Sequence, residues 1–358
     1  MIISLYIYLF AFMMVFCWGI SSNFRFRLVS GSQIGFQKSS GGSKLFFLFL
    51  AVLLVAACIL KPENIADYAE YQRLYNYNSL GLNYNERLEP TFLWIADISP
   101  TFLILIFIYA LISIYLNLRV IQRYSCNVPV SLLLYLSPYF VLHDMIQIRA
   151  AVACALMLWA ITYIPSRDWK RYFALITVAV LFHKSALIFA PIYFLSGTKL
   201  NKSFYSIVVI ALLAAAAIHI SVGLLIKYIP IPAVQVYYAT YAFSYWKAAP
   251  SVGMVIFGKC VMALWMIRKI ENIQSVFPYA IISLKIFIAS IACFILFTDI
   301  PVMAGRLYEA TGVIDIYAMA MFPLVAPKWK KLLVLLPIAF AFFRLPFSIA
   351  LLTSTIEN

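Results

Sequence analysis

Hydrophobic and polar positions do not alternate along this chain. They segregate into long apolar runs, roughly 2–20, 45–60, 100–118, 128–142, 146–164, 172–195, 204–222, 251–267, 277–297, 309–326 and 332–352, parted by short polar segments. A hydrocarbon core about 30 Å thick is crossed by roughly 20 apolar residues in a helix, whereas a barrel strand would alternate its faces. The pattern predicts an all-α, polytopic integral membrane protein forming a single domain over 1–358.

The polar segments are basic at alternate intervals. Arg25, Arg27, Lys38 and Lys44; Arg119 and Arg123; Arg167, Lys170 and Arg171; Lys199 and Lys202; Arg268 and Lys269; and Lys328, Lys330 and Lys331 hold sixteen of the 27 Lys and Arg. Positive charge marks cytoplasmic loops, so all six clusters are placed on that side. The run 172–195 carries VLFHKSALIFAP at its middle, and a lysine at the bilayer centre costs about 2.5–3.5 kcal/mol. Arg171 and Lys199 both need the cytoplasmic side, which one crossing cannot supply. The expectation is a short-armed hairpin over 172–197, with His183 and Lys184 at a tip sunk below the outer surface. That gives about twelve segments, both termini outside, and outer loops at 61–99 and 223–250, with short outer turns near 143–149 and 298–308.

Composition agrees with this picture: 65% of residues are hydrophobic and 11% charged. The net charge of +14 would suggest nucleic acid in a soluble protein, but here its placement reads as topology. The six cysteines stand singly, with no paired spacing, and read as small apolar residues. The first apolar run has no charged leader and is followed by Arg25 and Arg27, as expected of a retained helix. There is no HExxH, GxSxG, P-loop, GxGxxG or DxD. No metal, cofactor or nucleotide-activated donor is expected.

Candidate chemistry gathers at the outer face. The segment DYAEYQRLYNYN (67–78), followed by NERLEPTFLWIAD (85–97), mixes carboxylates with tyrosines, as sugar-binding surfaces do. An interfacial aromatic belt accounts for the tyrosines without any ligand. HDMIQIRAA (143–151) puts Arg149 at the head of an apolar helix, where it either snorkels to headgroups or grips a phosphate in two places. The hairpin tip adds His183, Lys184 and Ser185. TDIPVMAGRLYEATG (298–312) adds Arg306, with Glu309 placed to pair with it at i, i+3. Arg149, Arg306 and Lys184, with His183, are candidate diphosphate ligands; Asp67 and Glu89 are candidate bases; Tyr68, Tyr71, Glu86 and Ser185 are candidate sugar contacts.

The order DYxxY, EP, QIRAAVA, FHKSALIFAPIYF and GRLY resembles the EpsG-like branch of Wzy-type bacterial polysaccharide polymerases over roughly 1–325. The resemblance implies a GT-C-like helical architecture and a glycosyltransferase of the inner membrane. It would join undecaprenyl-diphosphate-linked oligosaccharides at the periplasmic face, as in O-antigen or capsule synthesis, by metal-independent, inverting transfer, with a chain-length regulator as a candidate partner. Its motif residues fall on Asp67, Tyr68, Tyr71, Glu89, Arg149, His183, Ser185 and Arg306. Many relatives carry N-x-I-R-Q where this chain has Gln147 before and Ala150 after Arg149. A lipid-linked oligosaccharide flippase remains the alternative, since it also needs cations, aromatic rings and about twelve helices.

Overall fold

The protein is described by a computed structural model for residues 2–26, 41–82, 88–218 and 250–353, with isolated positions 228 and 236. Among the described residues there are helices and no strands. Helix is the form that satisfies every backbone donor and acceptor without water. The longer apolar elements are α1 (Ile2–Ser21), α2 (Gly41–Ile59) and α5 (Phe102–Tyr124), then α6 (Val128–Leu134) running into a π-helical segment (Tyr135–Ile146). The amphipathic pair α3 (Tyr68–Ser79) and α4 (Pro90–Ile98) lies between α2 and α5. After α7 (Ile148–Ala160) and α8 (Trp169–Phe182) comes a 3-10 segment (Lys184–Phe194). There follow α9 (Lys202–Ala217), α10 (Pro250–Arg268), α11 (Ile270–Gln274), α12 (Ala280–Leu296), α13 (Pro301–Gly312), α14 (Asp315–Met321), α15 (Lys330–Leu333) and α16 (Leu335–Thr353).

Four stretches are long and apolar enough to cross a membrane: Ile3–Ser21, Phe102–Tyr124, Val128–Ile146 and Lys330–Thr353. Their burial separates centre from rim. Val128–Ile146 is 94% buried, whereas the first and last are 33% and 28% buried. The α6–π column is therefore the axis of the bundle, and α1 and α16 present apolar side chains outward. Pro138 removes one backbone donor inside the column, and α1 and α16 are tied to the column beside it. Tyr8 donates to the Leu136 carbonyl (3.1 Å) and Leu136's neighbour Ser137 donates its hydroxyl to the Ala341 carbonyl (2.6 Å).

The basic clusters meet at one end. Asn127 caps α6 and donates to the Phe24 carbonyl beside Arg25 (2.8 Å). Tyr124, beside Arg123, receives the Trp159 indole N–H (3.0 Å) and packs on Tyr279. Lys202 pairs with Glu271, and Lys285 donates to the Ser196 and Lys199 carbonyls (2.7 and 2.8 Å). The charge pattern thus located one common end of the fold.

The expected hairpin is present, with its turn at His183. Tyr172 donates to the Phe189 carbonyl across the two arms, and Tyr193 and Arg167 exchange hydrogen bonds at their base (2.8 and 2.7 Å). Pro191 removes a donor from the returning arm, which takes 3-10 geometry. At about 2.0 Å per residue its 11 residues reach about 22 Å. The 14 residues of α8 reach about 21 Å at the α-helical rise of about 1.5 Å. The tighter winding lets the shorter arm match the longer one, and both stop short of a full bilayer.

Other boundaries differ from the sequence reading. The segment 61–99, expected as an outer loop, contains α3 and α4, folded on each other through Tyr75 to the Ser99 carbonyl (2.7 Å) and Asn78 to Asp97 (2.7 Å). The loop at 223–250 lies almost wholly outside the described residues. The turn expected at 143–149 shrinks to Gln147, because the π-helix runs on through Ile146. His143 and Asp144 are accordingly buried. Residues 298–308 are largely helical, and the run 309–326 is broken between Gly312 and Asp315 into α13 and α14. The break is tied by fully buried charges. Lys259 Nζ of α10 lies 2.7 Å from Asp315 Oδ2 and donates to the Tyr308 hydroxyl (2.9 Å), while Tyr139 donates to the same carboxylate (2.9 Å).

The hairpin fixes which reagents reach which residues. In a cysteine-free background, Lys184→Cys should react with a membrane-impermeant maleimide on intact cells, and Lys170→Cys and Lys199→Cys only after permeabilisation. Labelling of Lys170→Cys and Lys199→Cys from opposite sides would mean one crossing and no hairpin.

Candidate active site

At the end of the bundle opposite the basic clusters, the Glu89 carboxylate collects three elements. Glu89 precedes Pro90, and the residue before a proline is driven out of helical geometry. Its backbone is extended (φ −73°, ψ 141°) and α4 starts at the proline. The side chain does not cap its own helix. It reaches instead to the Arg149 guanidinium at the head of α7, whose Nη1 donates to Oε2. Its other oxygen, Oε1, accepts the Lys184 backbone N–H (3.2 Å) and lies 3.3 Å from His183 Nδ1. Thr91, two residues on, donates to the Leu181 carbonyl (2.7 Å) and holds α4 against the end of α8.

These contacts have an electrostatic reason. Arg149 sits in the first turn of α7, where the helix dipole is already positive, so a cation there needs a counter-charge. Glu89 supplies it from a side chain only 5% exposed. Burial opposes ionisation of Glu89, but hydrogen bonding at His183 and the charge of Arg149 outweigh it and hold the carboxyl at about 2. The guanidinium also lies 5.3 Å from the Tyr71 ring centre and 5.8 Å from that of Phe92, close enough for cation–π attraction. About a fifth of the Arg149 side chain remains exposed.

Asp67 stands at the start of α3 with left-handed backbone (φ 64°), a conformation that Asp and Asn tolerate better than most residues. Partial desolvation raises its carboxyl above the ordinary value, against the opposing pull of Arg306 and Arg149. Below it, Lys61 is buried at the end of α2 and donates to the Met145 carbonyl (2.6 Å). Desolvation lowers the Lys61 ammonium to about 8, although Cys58 and Asp67 favour its charge. Glu309 does not form the expected ion pair with Arg306. It accepts from Gln147 Nε2 instead (3.3 Å), linking α13 to the turn that precedes Arg149.

The structure therefore brings together Glu89, Arg149, His183, Lys184 and Tyr71, with Asp67 and Arg306 within electrostatic reach. Tyr68 is half-buried against Phe102, Lys184 and Ser185 are exposed at the hairpin tip, and Arg306 is exposed on α13. Tyr71 is buried, its ring turned to the guanidinium. Glu86 lies outside the described residues. Phe92, Thr91, Lys61 and Gln147 were not singled out for their contacts by sequence, and only the proximity of Phe92 and Thr91 to the EP pair hinted at them. No set of three or more His, Cys, Asp and Glu suited to a metal is gathered among the described residues.

Compared with known families, residues 44–355 match the family model described as the EpsG family. No curated protein and no solved structure matches the chain. The matched span includes every described residue of the Glu89 cluster.

A carboxyl held at about 2 when folded and near its ordinary 4.5 when unfolded contributes roughly 3 kcal/mol of stability. The contribution is complete above about 4.5 and is lost as pH falls through about 2. Glu89→Gln should lower the melting temperature in detergent at pH 7, with the gap to wild type closing as pH falls toward 2. Equal melting at pH 7 would show that the pair does not hold the three elements together.

Proposed function

The chain belongs to the EpsG family, and from that premise we propose that it is a membrane glycosyltransferase that polymerises oligosaccharide repeat units carried on undecaprenyl diphosphate. In this reading the chain crosses the bacterial inner membrane about twelve times in a GT-C-like arrangement, works at the periplasmic face without a metal, and serves O-antigen or capsule synthesis. A chain-length regulator is its candidate partner. The observation that carries the proposal is the gathering of Arg149, His183 and the Lys184 N–H around one buried carboxylate, at the end of the bundle away from the basic clusters.

The growing chain on its lipid diphosphate is the donor, and a single lipid-linked unit is the acceptor. Arg149 and Arg306, with Lys184 and His183, hold the diphosphate and offset the negative charge that develops as it leaves. Because diphosphate departs readily, positioning and electrostatics supply most of the rate. The acceptor hydroxyl attacks the anomeric carbon, the carbon–oxygen bond to the diphosphate breaks, and undecaprenyl diphosphate departs with the electron pair. Of the two candidate bases, Asp67 is better suited to take the hydroxyl proton. A carboxyl held at about 2, as Glu89 is, is a weak base, whereas that of Asp67 is raised toward the operating pH. Glu89 then positions Arg149 and the hairpin tip. Tyr68, Ser185 and Glu86 are left to contact sugar, and Tyr71 to seat the guanidinium.

Arg149→Ala should abolish long polysaccharide while single-unit lipid-linked oligosaccharide persists at the outer face, and Arg149→Lys should restore little, because an ammonium lacks the two-point fork. Long chains in Arg149→Ala cells would overturn the assignment. Units trapped at the inner face of cells lacking the protein would point to a flippase.

Asp67→Asn should slow polymerisation by roughly 10²–10⁴-fold. The wild-type rate should fall with acidification through a value above the ordinary aspartate 3.8, since only the deprotonated form accepts a proton. A reconstituted assay with purified lipid-linked unit measures both; an unchanged rate in Asp67→Asn would assign the base elsewhere.

A further inference from the structure

At the end of the bundle opposite the Glu89 cluster, a cavity of about 600 Å³ lies between the turn that leaves α1 and the start of the α15–α16 pair. Arg25, Lys330 and Lys331 border it, no acidic residue lines it, and its walls include Ile20, Val334 and Leu335. None of the three cations forms an ion pair with a carboxylate among the described residues, where Lys202, Arg171 and Arg73 elsewhere on the surface do.

The cavity wall is held in place. The chain leaves α1 through Asn23 and Phe24, both with left-handed backbone (φ 50° and 44°), a conformation that ordinary residues keep only when their surroundings enforce it. Two contacts enforce it here. The Phe24 ring lies over Gly19, where an added Cβ would come within 2.3 Å of it. The Phe24 carbonyl accepts from Asn127, the residue that caps the central column (2.8 Å). Arg25 follows directly, so its side chain starts from a fixed point at the cavity mouth.

The two helical segments that flank this cavity, α1 and the α15–α16 pair, are the two least buried of the four stretches long and apolar enough to cross a membrane, so the cavity adjoins lipid. The tendency of basic residues to stay on the cytoplasmic side accounts for their presence at this end. It does not account for three of them around an apolar hollow with no carboxylate among its described lining residues. We propose that this cavity binds one anionic phospholipid, its phosphate-bearing headgroup among Arg25, Lys330 and Lys331 and the upper part of its acyl chains against Ile20, Val334 and Leu335. Charge complementarity selects the headgroup, and the apolar wall selects an amphiphile over a free phosphate. The site is independent of the polymerase reading and uses none of its residues.

Full-length protein purified in mild detergent and titrated with dioleoyl phosphatidylglycerol or dioleoyl phosphatidylcholine, with bound lipid counted by native mass spectrometry, tests it. Wild type should retain one phosphatidylglycerol selectively. Each basic residue beside an anionic lipid is worth about fivefold in binding, so the triple variant Arg25→Gln/Lys330→Gln/Lys331→Gln should weaken retention by about a hundredfold and leave phosphatidylcholine unaffected. Leu335→Trp, which fills the apolar side and keeps every charge, should also lower retention. Lys170→Gln/Arg171→Gln/Lys199→Gln, on the same end of the bundle, should not. The site is refuted if that control triple weakens binding as much as the first, which would mean diffuse surface attraction, if Leu335→Trp retains the lipid fully, or if inorganic phosphate at millimolar concentration displaces it.

Discussion

One carboxylate holds together the end of this protein that lies opposite the basic clusters. Three positive or donor groups converge on Glu89 from segments far apart in the chain: a guanidinium at the head of α7, and an imidazole and a backbone N–H at the hairpin tip. Each would be costly alone at that depth. Arg149 stands against its own helix dipole, His183 is half-buried at the hairpin tip, and the first N–H groups of a helix have no partner within it. Their shared solution is one acidic side chain that reaches away from the helix it precedes.

The second constraint is the bilayer, which sorts the molecule into two unlike ends. The basic end is bound by aromatic and carbonyl contacts around Asn127, Tyr124 and Lys285. The other end is bound by ionic contacts around Glu89. Between them runs the α6–π column, the most enclosed of the four stretches long and apolar enough to cross a membrane. Its π geometry is fitting beside a site, since such turns displace side chains from their α-helical register. Here that displacement ends at Gln147, whose side chain joins α13 and whose backbone starts the helix that carries Arg149.

Much of this was legible in the sequence for simple reasons. Continuous apolar runs dictate helices, and the spacing of Arg171 and Lys199 dictates a reversal between them, because charge cannot rest on the wrong side. His183 stands out as a polar group inside an apolar run and Arg149 at the head of one, and Asp67 and Glu89 as carboxylates set among tyrosines in a polar loop. The missing parts are those that depend on partners remote in the chain. No local pattern says that Glu89 takes Arg149, that Gln147 displaces Arg306 as the partner of Glu309, or that Tyr71 turns its ring to a cation. The short helices α3 and α4 were hidden because their polar residues mask an apolar face too brief to show a period. The break before Asp315 was hidden because the residues on either side are apolar.

That break bears on how the protein is made. Lys259 and Asp315 meet inside the bundle, yet they are made at different moments of synthesis, with α11, α12 and α13 between them. A lysine at the bilayer centre costs about 2.5–3.5 kcal/mol on insertion scales, so a buried Lys259 gains from a carboxylate beside it. It gains its partner only once the chain as far as α14 has followed. The ion pair therefore closes late in synthesis, after the helices that precede α14 have been made, and until then Lys259 stands without this counter-charge.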